Sequence, residues 1–123
     1  NNQRGHFGIN VISTNTVLKS CAKVLKNGEL LGILGDRDMT QAGQRVEFLG
    51  KEASIPKGAA FFARMTGAAI VPAFMVRQKD DSFVFTFEEY FTCPYTKNKK
   101  DDIISCIKKC ASHIEKYIYK LIN

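Results

Sequence analysis

The chain has 123 residues, 45% hydrophobic and 24% charged, which is enough apolar surface for one core and excludes a disordered or low-complexity tract. No apolar run reaches the ~18 residues of a membrane-spanning helix, and the start lacks the basic-then-apolar layout of a signal peptide, so membrane contact by this stretch is expected to be peripheral. Eighteen Lys and Arg against 12 Asp and Glu give +6, a balance suited to anionic lipid surfaces, phosphorylated substrates or nucleic acid.

In chain order, Gly8 to Ser13 reads as a short strand rich in β-branched residues. Thr14, Asn15 or Thr16 then caps a helix over 16–27, in which Val17, Leu18, Cys21, Ala22, Val24 and Leu25 recur at helical spacing until Asn27-Gly28. Leu30, Leu31, Ile33 and Leu34 form a continuous apolar run, expected to be a parallel strand over 30–35 buried on both faces. It ends in Gly35-Asp36-Arg37-Asp38, and open α/β sheets place ligands at the C-terminal ends of such strands.

Residues 39–45 read as a loop and Val46 to Gly50 as a brief alternating or edge segment. Pro56 suits the first turn of a helix over 57–66 that Gly67 terminates. The apolar strand expected over 69–77 contains Pro72, which cannot donate to a ladder, so the strand should be interrupted, bulged or at an edge there. Lys79 to Ser82 is a turn, and the alternation of Phe83, Phe85 and Phe87 predicts a hairpin strand over 82–90. After Asp101-Asp102, whose charges suit a helix start, Ile103, Ile107, Cys110, Ile114, Ile118 and Leu121 trace one face of a helix over 101–121. The pattern is one α/β domain over 1–123, with a mixed, mostly parallel sheet flanked by helices.

The four cysteines, Cys21, Cys93, Cys106 and Cys110, form no CxxC pair, and a reducing compartment is the simpler inference. Cys106, Cys110 and His113 share a helical face, but three ligands on one helix with no fourth candidate nearby are better read as small core residues, and no metal is expected. Lys97, Lys99, Lys100, Lys108 and Lys109 read first as a solvated helix face.

Five short pieces follow one another between residues 25 and 74: Leu25-Lys26-Asn27-Gly28-Glu29, Asp36-Arg37-Asp38, Val46-Glu47-Phe48-Leu49-Gly50, Ala63-Arg64-Met65-Thr66-Gly67-Ala68 and Val71-Pro72-Ala73-Phe74. In this order and spacing the chain resembles the bacterial lipid A biosynthesis acyltransferases, of the wider lysophospholipid acyltransferase group. The resemblance implies the C-terminal half of a glycerolipid-acyltransferase-like domain that moves a fatty acyl chain from a thioester donor, acyl carrier protein or coenzyme A, to a hydroxyl of a lipid A precursor or related glycolipid. It implies a peripheral protein on the cytoplasmic side of the inner membrane, touching the membrane surface, with no cofactor and no nucleic-acid partner. The central residue of the Asp-x-Asp piece is commonly Gln or His in that family and is Arg37 here, a fixed cation able to hold phosphate. The family's histidine, followed five positions on by an acid, deprotonates the acceptor hydroxyl. His6 is followed at that distance by Val11 and His113 by Ile118, so the catalytic pair is expected upstream and the chain alone is expected to be inactive.

The expected substrate-binding residues are Asp36, Arg37 and Asp38 at the strand end, Lys57 and Gly58 at a helix start suited to anions, and Pro72, whose bend would shape the pocket wall. Arg64 is expected to stabilise its helix terminus, and Phe61, Phe62, Phe83, Phe85 and Phe87 to pack in a core rather than line an acyl groove. A rival reading takes Asp36-Arg37-Asp38-Met39-Thr40 as the Asp-x-Asp-x-Thr motif of a magnesium-dependent phosphatase of the haloacid dehalogenase type, although too little chain follows Asp80-Asp81 to complete that fold. A non-enzymatic module for an anionic partner is the third reading, with no aromatic-basic nucleic-acid motif to support it.

Overall fold

In the structure, a computed structural model, residues 17–33 and 43–122 are described; the expected strand over 8–13 and the Asp36–Asp38 turn lie outside them. The chain divides into two units, Asn1–Gly32 and Ile33–Asn123.

In the first unit α1 spans Val17–Lys26, with Lys23 and Lys26 in its last turn where cations complement the carbonyl end. Gly28 takes the left-handed conformation (φ 77°), which glycine adopts without steric cost. Its N–H bonds the Leu25 carbonyl at 3.1 Å and that of Glu29 bonds Val24 at 3.0 Å, the paired closure of a Schellman cap. The sequence places this stop at the same residues. Residues 30–33 form no strand, and Leu30 is 98% exposed, so the expected buried parallel strand is not seen over its described part.

The second unit is built from two antiparallel hairpins and two helices, and the strands form two separate two-stranded sheets. The expectation of a mostly parallel sheet is therefore corrected: among the described residues every pairing is antiparallel. That expectation rests on the alternating strand–helix pattern with apolar strands, whereas the described strands pair across short turns that reverse the chain.

Strands β1 (Gln44–Phe48) and β2 (Lys51–Ile55) pair from Gln44↔Ile55 to Phe48↔Lys51. The two-residue turn between them, Leu49-Gly50, has both φ angles positive (52° and 79°), the geometry that matches strand twist. Leucine is a poor residue for that conformation and hid the hairpin in the sequence, where β2 went unread. The Leu49 N–H donates to Glu115 Oε1 at 3.0 Å, which fastens the turn to the C-terminal helix.

Helix α2 (Gly58–Thr66) starts two residues after Pro56 and is closed by Gly67 (φ 77°), whose N–H bonds the Ala63 carbonyl at 2.8 Å. Strands β3 (Ala73–Arg77) and β4 (Phe83–Phe87) form the second hairpin. Its turn closes with Gln78 N–H to the Ser82 carbonyl at 2.7 Å and a left-handed Asp81 (φ 69°), and Asp80 accepts from the Ser82 N–H and hydroxyl. Pro72 interrupts the ladder as its missing N–H requires: its carbonyl still accepts from Glu88 at 2.9 Å, and pairing resumes beyond it at Ile70↔Phe91.

Helix α3 (Lys99–Ile122) underlies the unit. Cys106, Ile107 and Ala111 on it are buried with Val46, Ile55, Ala60 and Phe91 in one core, with Ile103 and Cys110 at its margin. Tyr117 stacks on Phe74 at 4.2 Å, so α3 covers the face of the second hairpin that carries Phe74. The opposite face carries Met75, Phe83, Phe85 and Phe87, each more than half exposed. The expected core role thus holds for Phe62, which is buried, and fails for Phe83, Phe85 and Phe87, because only one hairpin face is covered among the described residues. No helix among the described residues is long and apolar enough to cross a membrane.

Candidate functional site

Three constructions in the second unit bring functional side chains together. The first joins α2 to α3. Asn98 caps α3, its Oδ1 accepting from the Asp101 N–H at 3.1 Å. One residue further on, Asp102 is buried and its carboxylate accepts three hydrogen bonds: the Arg64 Nε–H at 2.9 Å, the Thr96 N–H at 2.7 Å and the Thr96 hydroxyl at 2.6 Å all donate to it. Arg64 also donates to the Thr96 carbonyl at 2.8 Å and lies over the Tyr95 ring at 4.3 Å. Burial pushes the Asp102 carboxyl up, but the Thr96 hydrogen bonds and then Arg64 outweigh it, holding the group below the usual carboxylate range. Among the described residues no buried side-chain nitrogen or oxygen lacks a partner, and these bonds clamp the Thr96 loop to both helices. Arg64 does more than the expected stabilisation of its own helix end. Asp102 has no signal in the sequence beyond its place in an acidic helix start.

The clamp fixes the start of α3 against α2 and so shapes the second construction, a cleft of about 340 Å³ lined by Gln44, Lys57, Lys99, Lys100, Ile103 and Ile104. Lys57 caps α2 through its backbone, its carbonyl accepting from Phe61 at 2.9 Å, and its exposed side chain lines the cleft. The Lys99 ammonium sits 5.0 Å from the Phe61 ring centroid. Of the expected binding residues, Lys57 is at this cleft and Gly58 follows it as the first residue of α2. Pro72 is half-buried at the second hairpin and does not line the cleft. Asp36, Arg37 and Asp38 lie outside the described residues. Lys99 and Lys100 were read as part of a solvated face; their contribution becomes visible only when the fold sets α3's first turn beside Lys57.

The thiols form a third cluster. Burial raises the Cys93 thiol to about 12, and its Sγ lies 3.7 Å from the Asp102 carbonyl. The hydrogen bond between Cys106 and Cys110, followed by burial, pushes Cys106 up, and the same bond draws Cys110 down. His113 stacks on Phe91 at 5.3 Å, and among the described residues no three His, Cys, Asp or Glu side chains are placed to hold a metal ion.

The fold is mixed α/β with a cation-rich cleft, an arrangement suited to a protein that handles anionic ligands. Its sequence matches the family profile of the bacterial lipid A biosynthesis acyltransferases over residues 1–122, and the chain belongs to that family. It is also similar to the phosphatidylinositol mannoside acyltransferases of Mycobacterium tuberculosis strains CDC 1551 / Oshkosh and ATCC 25618 / H37Rv, with 38% identity over 48 residues in each case. Each match covers 39% of this chain and 15% of the relative's length.

Proposed function

We propose that the protein containing this chain transfers a fatty acyl group from a thioester, carried on acyl carrier protein or coenzyme A, to a hydroxyl of a lipid A precursor or related glycolipid. The observation that carries this reading is the family match over residues 1–122. It favours acyl transfer over the Asp-x-Asp phosphatase and over a purely binding module. In the reaction the acceptor oxygen attacks the thioester carbonyl, the C–O bond forms as the C–S bond breaks, and the hydroxyl proton ends on the released thiol. A histidine–acid pair outside this sequence takes that proton in transit. The residues of this chain bind and orient: Arg37 holds acceptor phosphate, Asp36 and Asp38 position the attacking hydroxyl, and Lys57, Gly58 and Pro72 complete the substrate walls. The protein works at a membrane surface, on the cytoplasmic side of the inner membrane, and needs no metal or cofactor.

The test is reciprocal. The chain alone, incubated with a labelled acyl thioester and glycolipid, gives no labelled ester above a heat-killed control, whereas the full-length protein does. Transfer by residues 1–123 alone would place the catalytic base in this sequence and overturn the assignment of roles.

A further inference from the structure

The cleft between the starts of α2 and α3 gathers three ammonium groups from positions distant in sequence, Lys57 on one side and Lys99 and Lys100 on the other. All three are exposed, and among the described residues none has a carboxylate partner. The described arginines differ: Arg45 pairs with Glu52, Arg64 with Asp102 and Arg77 with Asp81. Helix starts also favour negative charge, which Asp101 and Asp102 supply in the first turn of α3, whereas Lys57 at the cap of α2, whose first turn holds no acidic residue, opposes that helix's dipole. Lys99 has a ring partner in Phe61, but no carboxylate pairs with any of the three, and an anion bound among them would relieve their mutual repulsion. Beneath the cations the lining changes character, because Ile103 and Ile104, both half-buried, present hydrocarbon to the same space.

We infer that this cleft binds a phosphate ester carried on a flexible chain, with the phosphate held by Lys57, Lys99 and Lys100 and the chain laid over Ile103 and Ile104. Two sources fit that chemistry: the headgroup phosphate of a lipid acceptor and the phosphopantetheine arm of a thioester donor. The inference rests on the acyltransferase reading only for the choice of these two sources. Its test reads binding, so loss of the proposed activity and loss of this site are distinguishable.

The full-length protein is titrated by calorimetry with dihexanoyl phosphatidic acid as a dispersed monomer, with 4′-phosphopantetheine, with inorganic phosphate and with a neutral alkyl glucoside. One chain-bearing phosphate binds about tenfold or more tighter than inorganic phosphate, and which of the two does so identifies the source. Substituting Lys57, Lys99 and Lys100 together by Gln weakens that ligand by about tenfold or more, and K57Q alone weakens it by about threefold, because each removes a charge-assisted contact. Both variants keep the wild-type circular dichroism, since all three side chains are exposed. Binding that is unchanged in the triple variant, equal for the neutral glucoside, or absent for both phosphate esters overturns the proposal; inorganic phosphate binding as tightly as the esters reduces the cleft to an adventitious ion site and overturns it as well.

Discussion

Replacing Arg64 by Met tests the clamp on which the cleft's shape depends. The Arg64 and Asp102 side chains are 10% and 4% exposed, so the substitution leaves a carboxylate inside the protein without its cation. Broken buried pairs of this kind cost about 3–5 kcal/mol. Against a total of about 5–15 kcal/mol for a domain, that removes about a fifth or more of the stability. The melting temperature should fall by about 10–20 °C, and the urea midpoint should fall with an unchanged slope. Arg64→Met combined with Asp102→Leu should recover most of the loss, because removing both charges also removes the stranded one. The pH response has a definite sign. The Asp102 carboxyl is held below its ordinary value in the folded state, so the unfolded chain binds the extra proton first. The contribution is therefore complete above the ordinary carboxylate range and is lost as pH falls through the lowered folded value; in Arg64→Met the acid limb moves to higher pH. A single variant within about 1 kcal/mol of wild type, or a double variant no better than the single, would refute the claim that the pair is buried and coupled.

Three further outcomes follow from particular residues. Leu49→Asn should raise stability by about 1 kcal/mol in urea titrations, because Asn tolerates the positive φ while its backbone N–H keeps the Glu115 bond; an unchanged or lower midpoint would show that the leucine side chain matters more. Iodoacetamide at neutral pH, read by peptide mass spectrometry, should modify Cys110 before Cys93 and Cys106, since the first thiol is drawn down and the other two are pushed up; the reverse order would contradict the thiol hydrogen bonding. Arg37→Ala in the full-length protein should raise the acceptor KM or lower kcat/KM by about tenfold with little change in stability, and unfolding with intact specific activity would make the residue structural.

What the sequence discloses and what it conceals divide along physical lines. Gly28 and Gly67 mark helix ends at the right residues because a left-handed cap needs glycine, and Pro72 marks its ladder break because it lacks an N–H. The Leu49-Gly50 turn was unreadable because leucine is not a turn residue; its position is held by Glu115, 66 residues away. The apolar run at 30–34 suggested a parallel strand, but periodicity alone cannot tell a buried strand from another apolar segment. Likewise Phe83, Phe85 and Phe87 alternate correctly for a strand, yet alternation does not say which face finds a partner. Family membership was legible in five short motifs, whereas the lysine cleft was not, because Lys57 and Lys99 are distant in sequence and line one cleft only once the two helices pack together.

The most direct test of acyl transfer is the mass of the acceptor. The full-length protein is incubated with a glycolipid bearing a free hydroxyl and with a fatty acyl thioester, and the products are separated and weighed. The account predicts an acceptor heavier by one fatty acid less one water, formed in step with free thiol and without added magnesium. An unchanged acceptor with the fatty acid released to water, or magnesium-dependent loss of phosphate from the acceptor, would contradict it.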